Sequence, residues 1–584
     1  MSLLSLIHER LASRGPSLVQ DTATAAAWSL LDYVAAVGLG WYVVIWSISI
    51  LGLRIAKRLY TPPIPTSPLS SLRADQRMPS SGVQSAAPAA PGVSILRPLA
   101  GLDHNLWSNL ASSFEQRYAK DSFEIILSVK DEQDQALEVA RDVVARYPQV
   151  QSRIVIGDEE AGVNPKINNL VIPYSLARFD IIWVLDSQCC LSTTALGRAV
   201  DALTHSPPPV PSPRFLRRLS IFGGSAYART SGSNAKVGLV HHVPLATSAS
   251  NNWGSQVEQA FLSTNHAKMY LALNALAIDS CVMGKSNLYR KSDLQRVQDD
   301  FFGVDEGGTG GESGAIGSSA FDADAVRHAA SSSGSSTANN DSGPAGSQEI
   351  GPNALVSKTT SRALARFSIF LAEDNMLALS LWRPPLSLHH VVSPGDAVCT
   401  SVGGMNSLWT YASRRMRWIR VRKRMVLAAT IVEPFTESIV AGLVALFSLR
   451  RLLRASSHLS ADRTEENYLN ATNVWSVVIF LTHELAWHTI DAAVMKSLRG
   501  GENLPPDQMP RFRMAWIIRE CLALPIWIWA MCGSTVTWRD QRFRILPNGR
   551  AAHAAASPTP FSFAAPWLGL TRHSKKNYSR LDND

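Results

Sequence analysis

The sequence predicts an α/β domain built on a doubly wound sheet and carried by transmembrane helices, one N-terminal and two to three C-terminal. Three observations predict it. From Phe179 to Ser187 the chain reads FDIIWVLDS, apolar on both faces, as a parallel strand covered by helices on both sides must be. Strand-like and helix-like patterns alternate from residue 93 to residue 206, the order that winds a parallel sheet. Four long apolar segments flank this region, each long enough for the roughly 20 residues a bilayer requires.

The chain has 584 residues, more than one ordinary domain holds. Its 56 Lys+Arg exceed its 47 Asp+Glu, for a net charge of +9. The positive charge clusters beside apolar segments, as at Arg54, Lys57 and Arg58, or Arg420, Arg422, Lys423 and Arg424. Such clusters suit an anionic membrane surface. No basic domain with interleaved aromatics is present, so no nucleic-acid partner is expected. The six cysteines form no CxxC pair, which predicts neither a disulfide framework nor a zinc site.

Residues 1–25 form a polar N-terminal segment, and 26–53 read as an uncleaved transmembrane anchor. Arg54, Lys57 and Arg58 after it outweigh Arg10 and Arg14 before it, which leans toward a cytosolic side for the domain beyond the anchor. Residues 61–92 are rich in Pro, Ser and Ala and predict a disordered linker. The α/β domain spans 93–424, with insertions at about 207–236 and 304–360. Its first strand, 93–96, stops before Pro98, and Asp103 is placed to cap a helix carrying Leu106, Trp107, Leu110 and Phe114. Strand 123–129 leads to Asp131 and then to Ala136, Val139, Ala140 and Val143 at helical spacing. Strand 153–156 ends at Gly157, and Pro165 in a first turn opens the next helix. The next strand stops at Asp186, at the carboxyl edge where open α/β sheets bind ligands.

A C-terminal membrane region covers 425–538, with apolar stretches at 425–449, 473–495 and 515–536. The first carries Glu433, Pro434 and Glu437, so it reads as interfacial or broken. The tail 539–584 is basic, then polar, and reads as disordered. Three full crossings after the anchor would leave Arg539, Arg542 and Arg544 opposite the α/β domain, against the positive-inside rule. One late segment must then be re-entrant or interfacial, with 425–449 the best candidate, or the tail is luminal despite its charge.

Five motifs stand in order: VSILRPLAG at 93–101, NPKINNL at 164–170, Asp186-Ser187, Ala372-Glu373-Asp374, and Arg414-x-x-Arg417-Trp418. Gly238-Leu239-Val240-His241 and Ser263-Thr264-Asn265-His266 lie between them. Together they resemble the family-2-type glycosyltransferases of GT-A fold, and more closely family 21, the group that glucosylates ceramide. The resemblance covers about 93–206, 237–300 and 367–545.

That resemblance implies an inverting hexosyltransferase that moves glucose from UDP-glucose to the primary hydroxyl of ceramide, giving glucosylceramide and UDP. It implies a multi-pass Golgi membrane protein with its catalytic domain facing the cytosol. By resemblance Asp374 is the general base, and Arg414, Arg417 and Trp418 stand at the mouth of the site. Asp131, Lys166, Asp186 and His266 bind the donor, and Cys281 lies near it. Asp186 also holds Mg²⁺ or Mn²⁺, although Gln188 breaks a strict D-x-D. Other readings stay open for several of these: a helix cap for Asp131, a surface lysine for Lys166, and a capping or salt-bridging carboxylate for Asp374. The R-x-x-R-W segment also reads as a lipid-binding basic cluster, a role given above all to Arg420, Arg422, Lys423 and Arg424.

His483-Glu484-Leu485-Ala486-Trp487-His488 resembles a zinc-peptidase motif, but its histidines are five apart and do not share a helix face. They are expected to line a lipid path. A processive polysaccharide synthase of the same superfamily is the alternative function, and a non-catalytic membrane scaffold is the second.

Overall fold

The computed structural model describes residues 29–64, 66–71, 90–204, 236–247, 249–277, 280–302, 348–350, 358–457, 465–538 and 541–554. The expected N-terminal segment 1–25, most of the insertion at 207–236 and the tail beyond 554 lie outside them.

Helix α1 (Leu30–Tyr60) begins with Ser29, whose side chain caps it while Asp32 reaches back to the Ser29 backbone. It continues past the anchor's predicted end at 53, because Ala56 and Tyr60 bury themselves against Val243 and Tyr270 of the next domain. Of the predicted linker, residues 72–89 lie outside the described residues, and its first part carries structure. Residues Pro68–Ser71 form a helical turn, where Ser67 accepts from the Leu69 amide at 3.1 Å and Leu69 packs on the core.

The α/β domain comprises β1 (Val93–Pro98), α2 (Leu106–Phe114), β2 (Phe123–Val129), α3 (Ala136–Arg146), β3 (Ser152–Ile156), α4 (Pro165–Leu176), β4 (Ile181–Leu185), β5 (Cys189–Cys190) and α5 (Ala195–Thr204). Then come β6 (Val237–His241), β7 (Pro244–Thr247), α6 (Trp253–Phe261), a π-helical turn (Leu262–His266), α7 (Ala267–Leu276) and β8 (Ser286–Arg290). The domain closes with β9 (Gln348–Ile350), α8 (Glu373–Trp382), β10 (His389–Val392), β11 (Val398–Ser401) and α9 (Leu408–Met425). The main sheet has the order β10-β6-β8-β4-β1-β2-β3-β9. One hydrophobic core packs α2, α3 and α5 on one face; another packs α4 and α8 on the other. This is the expected doubly wound α/β arrangement, with helices on both faces of one sheet.

The sheet is mixed, which corrects the expectation of a parallel one. β8 runs antiparallel to both β4 and β6. The chain reaches it through α6 and α7, not through a crossover helix, so it enters from the carboxyl edge and must run backwards. Asp103 does not cap α2 with its side chain: Asn105 is the cap residue, in a left-handed conformation at φ 59°, and Asp103 instead binds Ser187. The insertion at 304–360 also supplies structure, since β9 adds a parallel edge strand beside β3, held by Arg141 and Glu349 at 2.7 Å.

The membrane region comprises α10 (Leu427–Val432), α11 (Ser438–Ser457), α12 (Glu465–Leu498) and α13 (Met509–Met531). Among the described residues, three helices are long and apolar enough to cross a membrane: α1, residues Asn473–Leu498 of α12, and α13. This matches the predicted one N-terminal and two C-terminal helices. The 425–449 stretch is broken, as its Glu433-Pro434 suggested: Leu427–Thr436 and Ser438–Arg454 meet at 76°. Beyond α13, β12 (Thr535–Trp538) closes the predicted membrane region and pairs with β13 (Gln541–Ile545), which pairs with β14 (Ala551–His553), so the tail expected to be disordered from 539 starts with two strands. Phe543 and Ile545 alternate inward on β13 and pack against Val421 and Met425, which fixes it.

A buried ion pair ties the two regions together. Lys268 of α7 reaches Asp491 of α12 at 2.7 Å, lies over the Trp487 ring at 4.1 Å, and shares Asp491 with the Trp516 indole at 2.8 Å. Helix α1 packs close by, where a Cβ on Gly52 would strike the Lys268 carbonyl oxygen. Gly52→Val is therefore expected to destabilise the full chain by about 1–3 kcal/mol, read as a lower melting midpoint in detergent. Gly40→Ala, whose new methyl meets nothing within 4 Å, is expected to leave it unchanged.

His483 does not line an open path among the described residues. Its ring bridges helices, with Nδ1 2.9 Å from the Tyr42 hydroxyl and Nε2 3.0 Å from the Ser438 carbonyl.

Candidate active site

The site lies at the carboxyl edge of β4. Asp186 stands there because Arg97, fully buried on β1, donates to Ser113 at 2.9 Å and to the carbonyls of Ser187 and Cys189 at 3.1 and 2.9 Å. These bonds fix the turn after the strand. The Asp186 amide donates to the Lys285 carbonyl at 3.1 Å, extending the antiparallel pairing of β4 and β8 by one residue. That pairing delivers Lys285 to Asp186.

Asp186 is clamped by two ammonium groups, Lys166 at 2.8 Å and Lys285 at 3.2 Å. Lys166 also reaches Glu373 at 3.1 Å and donates to the Gly284 carbonyl at 3.0 Å. The NPKINN motif builds this contact. Asn164 caps α4 by accepting from the Lys166 amide at 2.9 Å, and its own amide group donates to Glu373 at 2.9 Å. Asn168 and Asn169 tie neighbouring turns, donating to Gly162 at 2.9 Å and to Leu99 at 3.0 Å. Burial pushes the Asp186 pKa up, but Lys166 and Lys285 outweigh it and hold the carboxyl below its ordinary value. Burial likewise works against the Lys166 charge, and Asp186, Glu373 and Asp374 reverse it, raising the ammonium pKa.

Asp374 stands beside this cluster in the first turn of α8. It has no ion pair among the described residues, and the Asn375 side chain donates to it at 3.4 Å. A Cβ on Gly284 would come within 2.7 Å of its Oδ2, so the glycine leaves that oxygen room. Burial, and then the neighbouring Glu373 charge, push its pKa up to about 7. A carboxylate so poised is half-deprotonated near neutral pH and basic enough to take a proton from a hydroxyl.

The R-x-x-R-W helix, α9, divides its two arginines. Arg414 is paired with the buried Glu258 at 3.2 Å and lies over Trp418 at 4.6 Å. Arg417 lies over Trp538 of β12 at 5.9 Å and has no ion pair among the described residues. Burial, then Arg414, lower its pKa to about 10. Trp538 belongs to the cluster that also includes Val163, Leu371 and Ala372, the residues just before Asn164 and Glu373. The C-terminal sheet therefore braces both loops of the site.

Two of the expected donor-binding residues, Asp131 and His266, make none of these contacts. Asp131 follows β2 but is exposed, accepting from the Gln133 amide at 3.0 Å; the helix-capping contact is made by Asp134, to the Ala136 amide at 2.9 Å. His266 is not held to the Asp186 cluster. It lies in the π-helical turn, stacked on Tyr270 at 5.6 Å and tilted against Phe261 at 5.3 Å, and burial with Arg415 and Arg422 lowers its pKa to about 3. The basic cluster after Trp418 is largely internal. Arg420 donates to the Thr535 carbonyl at 2.6 Å, Lys423 to that of Met531 at 3.0 Å, and Arg422 is bound to Glu433. The broken helix brings Glu433 there.

Sequence reasoning missed Gly284, Lys285, Arg97 and Glu258. Lys285 and Gly284 form no motif of their own, and only the antiparallel register reveals them. Asp186 is the carboxylate that the sequence motif assigns to a divalent cation, and among the described residues no group of three His, Cys, Asp or Glu could hold one alone. Such a set fits Mg²⁺ or Mn²⁺ only as a site shared with substrate phosphates.

Comparison with known proteins agrees with this geometry. Glycosyl transferase family 21 matches residues 68–209, 229–298 and 362–551. A ceramide glucosyltransferase of Komagataella phaffii is 33% identical over 568 residues, covering 90% of this chain and 92% of its own. One from Candida albicans is 28% identical, covering 78% and 86%. Ceramide glucosyltransferase 1 of Caenorhabditis elegans is 25% identical, covering 79% and 73%. The match takes in the Asp186 turn, the Asp374 helix and the R-x-x-R-W helix alike, and the chain belongs to glycosyl transferase family 21.

Proposed function

We propose that this membrane enzyme transfers glucose from UDP-glucose to the primary hydroxyl of ceramide with inversion, releasing glucosylceramide and UDP. The observation that carries the reading is Asp374: a half-buried carboxylate with a raised pKa, beside a pair of lysines on Asp186. Asp374 takes the proton of the acceptor hydroxyl as its oxygen bonds to the anomeric carbon. The bond from that carbon to the diphosphate breaks on the opposite face, and the charge leaves with UDP. Lys166, Lys285 and Arg417 face that charge and stabilise it. Asp186 would hold Mg²⁺ or Mn²⁺, which when bound would supply Lewis-acid stabilisation of the leaving diphosphate. Asp131, exposed after β2, is left to meet the nucleoside. Arg54, Lys57 and Arg58 at the end of α1 favour a cytosolic catalytic domain, and the family resemblance implies the Golgi membrane.

The test is transfer from labelled UDP-glucose to a short-chain ceramide in membranes expressing the chain. One β-linked glucose on the lipid supports the reading. An insoluble polymer would replace it with the polysaccharide synthase, and donor binding without any transfer would favour the scaffold. Chelation with EDTA is expected to reduce transfer at least roughly tenfold, given the several kcal/mol a Lewis acid contributes, with recovery on adding Mg²⁺ or Mn²⁺. Undiminished transfer in EDTA would remove the cation from the scheme.

The pH profile should carry the Asp374 signature. A base works only when deprotonated, so kcat/KM is expected to fall about tenfold per unit below about pH 7. Glu373→Gln removes the negative neighbour that helps raise this pKa, and the acid limb should move to lower pH. An unmoved limb in that variant would detach the limb from Asp374.

A further inference from the structure

Helix α13 is long and apolar enough to cross a bilayer, yet both its ends are tied to the catalytic domain. At its start, Arg511 donates to the Asn251 carbonyl at 2.7 Å and lies over the Trp253 ring at 5.4 Å. At its end, Arg420 and Lys423 of α9 donate to the carbonyls of Trp529, Ala530 and Met531 at 3.0–3.4 Å. The sheet after it packs on Val163, Leu371 and Ala372. A crossing helix of this length would separate its ends by about the 30 Å hydrocarbon thickness, one on each side.

Its two faces agree with a different placement. Phe512, Ala515, Trp516, Arg519, Ile526 and Ala530 are buried toward the protein. Met514, Ile517, Leu524 and Ile528 are 38–50% exposed, and their spacing puts them in one stripe. Arg519 and Glu520 sit mid-helix, where a crossing helix would carry them to the bilayer centre; here Arg519 pairs with Glu437, which also takes the Asn265 amide of the π-helical turn at 2.8 Å. Helix α10 lies alongside, joined by the Trp527 indole donating to the Thr430 carbonyl at 2.7 Å, and exposes Leu427 and Ile431, with Phe435 just beyond it. Trp409, 69% exposed, lies against Trp529 at 5.1 Å, an aromatic pair of the kind that settles at headgroup level.

We propose that α13 does not cross the bilayer but lies in the plane of one leaflet, and that its exposed stripe with α10 is the surface on which the catalytic domain rests on lipid. The crossings are then α1, α12 and α11, the longer arm of the bent pair Leu427–Thr436 and Ser438–Arg454, which is apolar and long enough to span only when the two arms are taken together. Arg451 of α11 meets Asp32 at the far end of α1 at 2.7 Å, while α12 returns to bury Val494 and Leu498 beside Tyr60. The hairpin with Arg542 and Arg544 lies on the catalytic side, which removes the charge conflict seen in the sequence. The proposal stands whatever sugar or acceptor the enzyme uses.

The test uses the full chain in sealed membrane vesicles, with the exposed Cys521 and Cys532 and the half-buried Cys190, Cys281 and Cys399 replaced by Ser, which leaves only the buried Cys189. Single cysteines are placed at exposed positions on either side of α13, Glu502→Cys and Gln541→Cys, with Glu138→Cys in the catalytic domain as reference. An impermeant maleimide is expected to label all three alike, before detergent or only after it. Labelling of Glu502→Cys and Gln541→Cys on opposite sides would overturn the proposal, because α13 alone separates them. In nanodiscs, a fluorophore on Ile517→Cys should be quenched more by a shallow nitroxide lipid than by one labelled near the acyl terminus. Stronger quenching by the deep label, or none by either, would equally overturn it.

Discussion

Asp374→Asn is expected to lower kcat for glucosyl transfer by about 10³-fold, within the range for loss of a general base. The substitution keeps the shape of the side chain and removes its basicity. Asp374 has no ion pair to lose among the described residues, so the fold has little reason to change. Removing this carboxylate also takes a negative charge away from Glu373 and Lys166, which should not weaken donor binding. The measurement is kcat beside UDP affinity, by competition, in the same membranes. Loss of turnover with UDP affinity kept within about threefold fits a base acting in the transition state. A kcat within about tenfold of the unmodified enzyme would sink the assignment. Gly284→Ala offers a graded companion: its methyl would come within 2.7 Å of Asp374 Oδ2 and occupy the space the acceptor hydroxyl needs.

The parts of the site that rest on local chemistry were legible in the sequence. Strand β4 declared itself by being apolar on both faces, and Asp186 by ending it. Asn164 and Pro165 marked a helix start, and the structure uses them as cap and first-turn residue. What was not legible depends on register and on distant contacts. A parallel sheet was expected, and in a parallel sheet Lys285 would not lie beside Asp186. Nothing in Met283-Gly284-Lys285-Ser286 signals that it will pair with the carboxyl end of β4. The basic run after Trp418 looked like a lipid-facing cluster because charge composition does not record partners. The carbonyls it meets belong to α13 and β12, more than a hundred residues later.

The membrane region repeats this lesson. Hydropathy reads length and composition, so α13 reads as a crossing helix. Both of its faces are apolar, one against protein and one toward lipid, and only the contacts at its two ends distinguish lying from crossing. The break at Glu433-Pro434 was legible, since an acid and a proline inside an apolar stretch disfavour a continuous span. The C-terminal sheet was missed because β12, β13 and β14 are only four, five and three residues long. Strands that short carry almost no periodic signal, although they brace the loops that hold Asn164 and Glu373.

The two arginines of the R-x-x-R-W helix should separate in experiment, although the motif gives them equal standing. Arg417→Ala is expected to reduce kcat by about 10²–10³-fold, the cost of removing one charged donor from a developing negative charge. Arg417 is half-buried, its pKa is lowered to about 10, and no carboxylate pairs with it among the described residues. A half-buried cation without an anion is poised for one that arrives with substrate, and in the proposed reaction the diphosphate is that anion. Arg414 already has its anion in Glu258, at 3.2 Å and fully buried. Arg414→Ala would strand that carboxylate, which costs about 3–5 kcal/mol for a buried pair, so the loss should appear as low yield and a lower melting midpoint. Adding Glu258→Gln should restore yield to Arg414→Ala and restore nothing to Arg417→Ala. If the double variant rescued both, or neither, the division of labour between the arginines would be wrong. If Arg417→Ala instead raised the KM for UDP-glucose with kcat intact, Arg417 would hold the donor equally in ground and transition states and would not serve the leaving group.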